Sequence, residues 1–314
     1  LCKMASCLAV TIKWMQIRWN ICNKKFLKRK QVLHKTIYVT GITGFIGSNL
    51  LPLLLKDFDK VINFKREGNL EIISRDSSKE KKISKDVILN NPSNTLINLA
   101  TLYDPYPKSI PALKDLIQSN IFFPAEVIDL FKALDDIKVI NAVSYHQLLD
   151  FSSQNVYSLS KELLKVFLEK HHSSIVNIYI FDTFGSGDKR NKVTDIFIKN
   201  ILKGNDLTIP KNDIQINLSD SEPVCLSIIN SINLDPGNYC ILSPDTISLY
   251  DLAKNIMKIT NKEVKIIRGD MGRSFFDEIP KFPENIFSSD SEYSFENSLK
   301  NRVEEIENIL INGL

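Results

Sequence analysis

The stretch TIYVTGITGFIGSNLLPLLL, Thr36 to Leu55, decides how the rest of the chain is read. It holds three of the eleven glycines, Gly41, Gly44 and Gly47, spaced three apart. A β-branched run precedes them and a leucine-rich pattern at helical spacing follows. The pattern predicts a strand over Thr36–Thr40, a tight turn at Gly41 and a helix from near Phe45 to Leu55. The first amides of such a helix have no partner within it, and its dipole is positive at that end. A phosphate is stabilised there, provided no side chain bars the backbone. Glycine removes that bar and permits unusual dihedrals. Strand, glycine turn and helix in this order predict a dinucleotide site. The plainer reading is a glycine-rich turn in any α/β protein.

The chain has 314 residues, enough for one large domain or a domain with a smaller companion. Its net charge of +3 is unevenly spread. Residues 1–35 carry nine Lys or Arg and no acid, so the remainder has 31 basic and 37 acidic residues, a balance of −6. That body offers no electrostatic case for nucleic acid. No apolar run reaches the roughly 18 residues a spanning helix requires. Residues 1–33 also hold Cys2, Cys7, Cys22 and both tryptophans. They read as a basic extension without fixed structure, with a targeting segment or a membrane-surface helix as alternatives. Cys225 and Cys240 lack metal-ligand spacing, no metal is expected, and a reduced, cytoplasmic setting is the default.

Strands are expected at Thr36–Thr40, Lys60–Phe64, Leu70–Ile73, Thr95–Leu99, Lys138–Asn141 and Ile175–Phe181. Helices are expected near Phe45–Leu55, Ile110–Leu134 and Asn155–His171. This alternation predicts an α/β fold, a Rossmann-type doubly wound parallel sheet over residues 34–190. From about Asn191 shorter strands mix with helices near Asp195–Lys203, Leu249–Ile259 and Ser298–Leu310. Residues 191–314 therefore read as a smaller α/β substrate-binding region on the carboxyl ends of the sheet, where ligands of such folds bind.

The next informative piece is VINAVSYHQLLDFSSQNVYSLSKELLKVFLEK. Ser144 follows a strand end, and Tyr157 and Lys161 stand four apart near a helix start, so they share a face. A lysine ammonium beside a phenol favours the phenolate and lowers its pKa. A phenol so tuned serves as a general acid or base. Ser144 is placed to hydrogen-bond the reacting oxygen. A second Tyr-x-x-x-Lys pair, Tyr250 and Lys254, has neither strand nor serine loop before it and reads as an ordinary helix pair.

With these motifs in place, the chain resembles the extended short-chain dehydrogenase/reductase family of NAD(P)-dependent nucleotide-sugar epimerases, dehydratases and reductases. TGITGFIG resembles the family's glycine loop, LINLATLYDP its fourth-strand motif, NAVSYHQ…YSLSK its catalytic set, and IFDTFGSGDKRNK the segment after its sixth strand. The short Ser-to-Tyr gap is most similar to a branch found in surface-polysaccharide gene clusters, which includes CDP-abequose synthase-like reductases. The resemblance implies cofactor contacts from Gly41, Thr43, Gly44, Phe45, Ile46, Gly47, Leu99, Ala100, Thr101, Tyr157 and Lys161. It implies catalysis by Ser144, Tyr157 and Lys161, a substrate face at Ser144 and Tyr145, and a diphosphate contact from Arg273. Asn98 replaces the family's usual His. Tyr145 and His146 stand where sugar 4,6-dehydratases carry Asp-Glu, which argues against elimination of water. The second strand, KVINFKRE, ends on Lys65 and Arg66 rather than Asp. Two cations suit a 2′-phosphate, so NADP(H) is favoured over NAD(H), although Glu67 or a backbone group could take the ribose.

The implied reaction is hydride transfer at a sugar carbon, C4 by preference, ending in 4-epimerisation or net 4-keto reduction. The resemblance also allows a homodimer. A non-catalytic NAD(P)-binding sensor or scaffold remains the alternative, motivated by the degraded segment QINLSDSEPV. A membrane-associated enzyme using the basic N-terminus is a third reading.

Overall fold

The computed structural model describes residues 35–131, 137–150, 154–289 and 293–313. The expected extension over 1–33 lies outside the described residues. The chain runs β1 (Thr36–Thr40), α1 (Phe45–Asp57), β2 (Lys60–Phe64), β3 (Asn69–Ser74), β4 (Ser77–Lys82), α2 (Lys85–Asn90), β5 (Thr95–Asn98), α3 (Ile110–Ile117), α4 (Phe123–Asp129), β6 (Lys138–Ser144), α5 (Val156–His171), β7 (Ile175–Ile180) and β8 (Asp182–Phe184). It continues through α6 (Val193–Leu202), β9 (Leu207–Ile209), β10 (Gln215–Ile216), β11 (Leu218–Asp220), α7 (Ser221–Asn230), β12 (Gly237–Ile241), β13 (Ile247–Ser248), α8 (Leu249–Thr260), β14 (Ile266–Arg268), β15 (Glu284–Asn285) and α9 (Phe295–Asn312).

Nine strands form one sheet in the order β15-β12-β7-β6-β5-β1-β2-β3-β4. Strands β15 to β2 are mutually parallel, and β3 and β4 close that edge as an antiparallel hairpin. From β1 the chain steps one way to β2 and later the other way to β5, so the switch point lies between β1 and β5. In open α/β sheets the ligand crevice lies outside the carboxyl ends of the strands at that point.

The strands are buried because both faces are covered. Every residue of β1 is buried. Ile37 and Val39 meet Leu50 and Leu54 of α1 and Ile228 of α7 on one face. Tyr38, between them, points to the other face with Phe64, Phe123 and Leu164. This alternation is the period of two that a pleated strand imposes. A separate core joins α6, α8 and α9 through Ile198, Ile201, Leu252, Ile256, Leu299 and Val303.

Two features depart from expectation. The helix expected over Ile110–Leu134 is broken: a wide turn over Gln118–Phe122, closed by Phe123 N–H on the Gln118 carbonyl, separates α3 from α4. Its expected end at Leu134 lies outside the described residues. The degraded-looking SDSEPV is the start of α7, with Asp220 as its cap accepting from Glu222 N at 2.8 Å. β12 and β15 return to the large sheet, α7 packs near α1, and Thr36–Leu314 clusters as one unit.

Candidate functional site

A cleft of about 640 Å³ opens at the carboxyl ends of β1, β5 and β6. The three glycines that border it have different roles. Gly41 sits at φ +76°, and a Cβ there would lie 2.7 Å from Ala100 N and Leu99 C. Its position therefore needs both a left-handed backbone and close packing against the end of β5. A Cβ on Gly47 would strike Ile42 Cα at 2.6 Å, so this residue lets α1 pack on its own turn. Gly44 differs: among the described residues, the one atom near its Cβ direction is the Gly41 carbonyl oxygen at 3.3 Å. It caps α1 without a side-chain cap hydrogen bond among the described residues, and the first turn carries no acid. That open, electropositive helix end fits a pyrophosphate.

Thr43, Phe45, Ile46, Lys65, Arg66, Leu99, Ala100, Thr101, Ser144, Tyr145, Tyr157 and Lys161 line the same cleft with the three glycines. Arg273 does not line it; its guanidinium pairs with Glu278 at 2.6 Å and lies 5.0 Å from the Phe275 ring. The decoy pair is also remote from the cleft lining: Tyr250 sits under Arg268, and Lys254 reaches Glu263 at 3.9 Å.

The ionisation states differ from the simple lysine–phenol argument. Burial raises the Tyr157 pKa above its ordinary value, while the Thr101 and Ser144 hydroxyls and Arg190 pull it back. Burial lowers Lys161 to about 8. The two groups are thus displaced towards neutrality by desolvation, and the phenol is held as a proton donor. Tyr103 stands edge-on to Tyr157 at 4.9 Å between ring centroids.

Beside Tyr145 the cleft is lined by His146, Phe181, Asp182, Arg190 and Lys192, to which motif reasoning gave no role. Tyr145 donates to Asp182 at 3.2 Å and stacks on Phe181 at 5.0 Å. His146 stacks on Tyr145 at 4.2 Å and meets Phe275 edge-on. Burial lowers the His146 pKa, which keeps its imidazole neutral near neutral pH. Lys192 Nζ lies 4.1 Å from the Tyr103 ring centroid, and Arg190 lies 4.1 Å from the Phe45 ring while paired to Asp188. Both cations sit in the DTFGSGDKRNK segment, whose three basic residues, Lys189, Arg190 and Lys192, were the available signal.

Asn98, the residue in place of His, belongs to a ladder. Thr40, Asn98, Asn141, Asn177 and Asn238 lie in register across β1, β5, β6, β7 and β12. Thr40 Oγ1 donates to Asn98 at 2.6 Å, Asn98 to Asn141 at 2.9 Å, Asn141 to Asn177 at 2.9 Å, and Asn177 to Asn238 at 3.1 Å. Thr40 also accepts from Ala100 N, which fixes the cleft wall.

A glycine-cradled cleft at the switch point of a doubly wound sheet defines a dinucleotide-binding α/β protein. Residues 37–216 match the model of the NAD dependent epimerase/dehydratase family, and the chain belongs to that family of enzymes, within the extended short-chain dehydrogenases/reductases. It is similar to the CDP-abequose synthase of Yersinia pseudotuberculosis, 25% identical over 71% of this chain and 81% of that protein. The CDP-abequose synthase of Salmonella muenchen is 24% identical over 76% of this chain and 85% of its own length. Among solved structures, the Bordetella bronchiseptica enzyme WbmF in complex with NADH superposes with a TM-score of 0.68 at 21% identity, covering 90% of this chain and 94% of that one. The UDP-glucose 4-epimerase of Thermotoga maritima gives 0.66 at 15% identity, covering 88% and 99%. Among the described residues no helix is long and apolar enough to cross a membrane.

Proposed function

We propose that the protein reduces a 4-keto nucleotide sugar, with the CDP-linked sugars named for its relatives as the first substrates to test. The observation that carries this reading is the gathering of Ser144, Tyr157 and Lys161 around one cleft with the Gly41–Gly47 cradle. The nicotinamide, when bound, supplies the hydride. Tyr157 donates its proton to the oxygen at C4 as charge develops there, and Ser144 steadies the same oxygen by hydrogen bonding. Lys161, displaced to about 8 by burial, acts as a proton source behind the phenol. Burial raises the Tyr157 pKa, which keeps the phenol protonated and suits it to donate to the C4 oxygen. The diphosphate is assigned to Lys192, which lines the cleft, in preference to Arg273, which does not line it and pairs with Glu278.

NADP(H) remains the favoured cofactor, with a shift in which cation carries the preference. Lys65 is shared by Glu71 at 3.4 Å and Glu80 at 3.6 Å. Arg66 is exposed on the cleft and pairs with no described residue, so it is the better 2′-phosphate partner. The setting remains a cytoplasmic one in this reading.

The test is turnover. Purified protein with NADPH and a CDP-4-keto-6-deoxy sugar should oxidise the cofactor and yield the 4-hydroxy product by NMR. Interconversion of 4-hydroxy epimers with retained cofactor would replace this reading by a 4-epimerase. Cofactor binding without turnover of any 4-keto or 4-hydroxy nucleotide sugar would favour the sensor or scaffold.

A further inference from the structure

Ser144 and Tyr157 come from different elements, the end of β6 and the start of α5, and one side-chain bridge ties those elements together. Ser144 N donates to Gln147 Oε1 at 2.8 Å, and Gln147 Nε2 donates to Glu162 Oε2 at 2.8 Å. Glu162 directly follows Lys161 on α5. Gln147 is 8% exposed, so both ends of its amide are engaged away from water. The amide orientation is fixed by its neighbours. Its oxygen faces an N–H and its nitrogen faces a carboxylate, and reversing it would lose both bonds.

The far end of the bridge is anchored to the sheet. Lys165 Nζ joins Glu162 at 3.3 Å to Glu169 at 3.5 Å, and Glu169 accepts from Asn177 of the ladder at 2.9 Å. A continuous path of side chains therefore runs from Thr40, beside the cofactor cradle, through Asn98, Asn141 and Asn177 to α5, and returns through Glu162 and Gln147 to the Ser144 backbone. Only residues 145–155 connect Ser144 to α5 along the chain.

We propose that Gln147, held by Glu162, is a positioning residue that sets the Ser144 hydroxyl against the Tyr157 phenol. The proposal rests on the catalytic reading above. It assigns no contact with substrate to Gln147 itself. A misplacement of about 1 Å in a catalytic group costs on the order of 10²-fold in rate, and the bridge restrains Ser144 in addition to its own hydrogen bond with Tyr157.

A double-mutant cycle with Ser144→Ala tests this. Gln147→Leu keeps the volume and removes both hydrogen bonds. It should lower kcat by about 10- to 100-fold while KM for the sugar and cofactor affinity stay within about 3-fold. In the Ser144→Ala background the same change should cost less than about 3-fold, because there is no hydroxyl left to position. Glu162→Gln retains an acceptor for Gln147 and should recover most of the activity that Glu162→Leu loses. Independently of turnover, amide exchange at Ser144 should speed up by about tenfold or more in Gln147→Leu and Glu162→Leu, and little in Glu162→Gln. Equal kcat losses with and without the Ser144 hydroxyl would overturn the proposal and leave Gln147 a structural cap. Unchanged amide exchange in Glu162→Leu would overturn it even if Gln147→Leu fails to fold. A Ser144→Ala enzyme as fast as the parent would instead sink the catalytic reading beneath it.

Discussion

At the scale of single residues, the structure assigns different costs to changes that look alike in the sequence. Gly44→Val places its side chain at the mouth of the cradle, so it should abolish dinucleotide binding while costing about 1 kcal/mol of stability, the loss of a good helix cap. Gly41→Val must adopt φ +76° and push against Leu99 and Ala100, so it should lower stability by about 2 kcal/mol or more. Calorimetric binding and thermal melts on the two variants check the contrast, and equal stability loss in both would show that Gly44 is also packed. Lys161 makes a pH prediction. Its folded pKa is lowered to about 8 from 10.5, so between those values the unfolded chain holds the extra proton. Stability therefore rises with pH across that window, by at most about 1.4 kcal/mol per pH unit. Lys161→Met should flatten the rise in urea midpoint between pH 8 and 10, and an identical slope in both proteins would mean the ammonium is well solvated. For the reaction, Tyr157→Phe should cost about 10² or more in kcat. Tyr250→Phe should cost almost nothing, since its ring lies against Arg268 outside the cleft lining.

At the scale of elements, the asparagine ladder is the least expected part of the sheet. Parallel strands buried on both faces read as apolar runs, and yet five neighbouring strands each place a polar residue in one register row. Each amide is satisfied by the next, which makes burial tolerable. Asn141→Leu would strand the Asn98 donor and the Asn177 acceptor together. It should destabilise by about 2–4 kcal/mol, against less than about 1 kcal/mol for Asn238→Ala at the exposed end. Urea denaturation of both variants measures the difference; similar small losses would show that water replaces the missing amide. Strand positions were legible because β-branched runs announce them: β1 and β2 fall on the expected residues. The ladder was not, because each asparagine is unremarkable in its own strand and acquires a partner only through register. The wide turn after α3 was hidden for a similar reason. Asn120 leaves the helical pattern to hold Leu102 N–H at 2.6 Å and Ser160 at 3.0 Å, both far away in sequence. The exposed β4, SSKEKK, carries no apolar signal at all, and its charges guard an open sheet edge.

At the scale of the molecule, the cleft depends on chain from both halves. The glycine cradle and the Ser144, Tyr157 and Lys161 positions precede residue 190, and motif order alone located them. Arg190 and Lys192 straddle the expected boundary, and Phe275, which faces His146, comes from far beyond it. The return of the C-terminal half to the sheet was not legible, since GNYCI reads as another short strand until β7 is seen to need a neighbour. That return has an energetic consequence. β12 pairs with Val176–Ile180 of β7, α7 buries Val224 and Ile228 against the α1 side of the sheet, and Lys138 Nζ donates to the Ile232 and Leu234 carbonyls at 3.0 and 2.8 Å. A fragment ending at residue 190 would expose the β7 edge, the apolar face beneath α7 and an unpaired lysine. Such an edge invites self-association, and the lost burial amounts to about 1.5–3 kcal/mol per large apolar side chain. Residues 34–190 expressed alone should therefore be aggregated or lack a cooperative melt. The full chain should unfold in a single transition by both near-ultraviolet dichroism and cofactor release. Separate midpoints for those two probes, with a soluble and cofactor-binding 34–190 fragment, would establish two independent domains divided at residue 190.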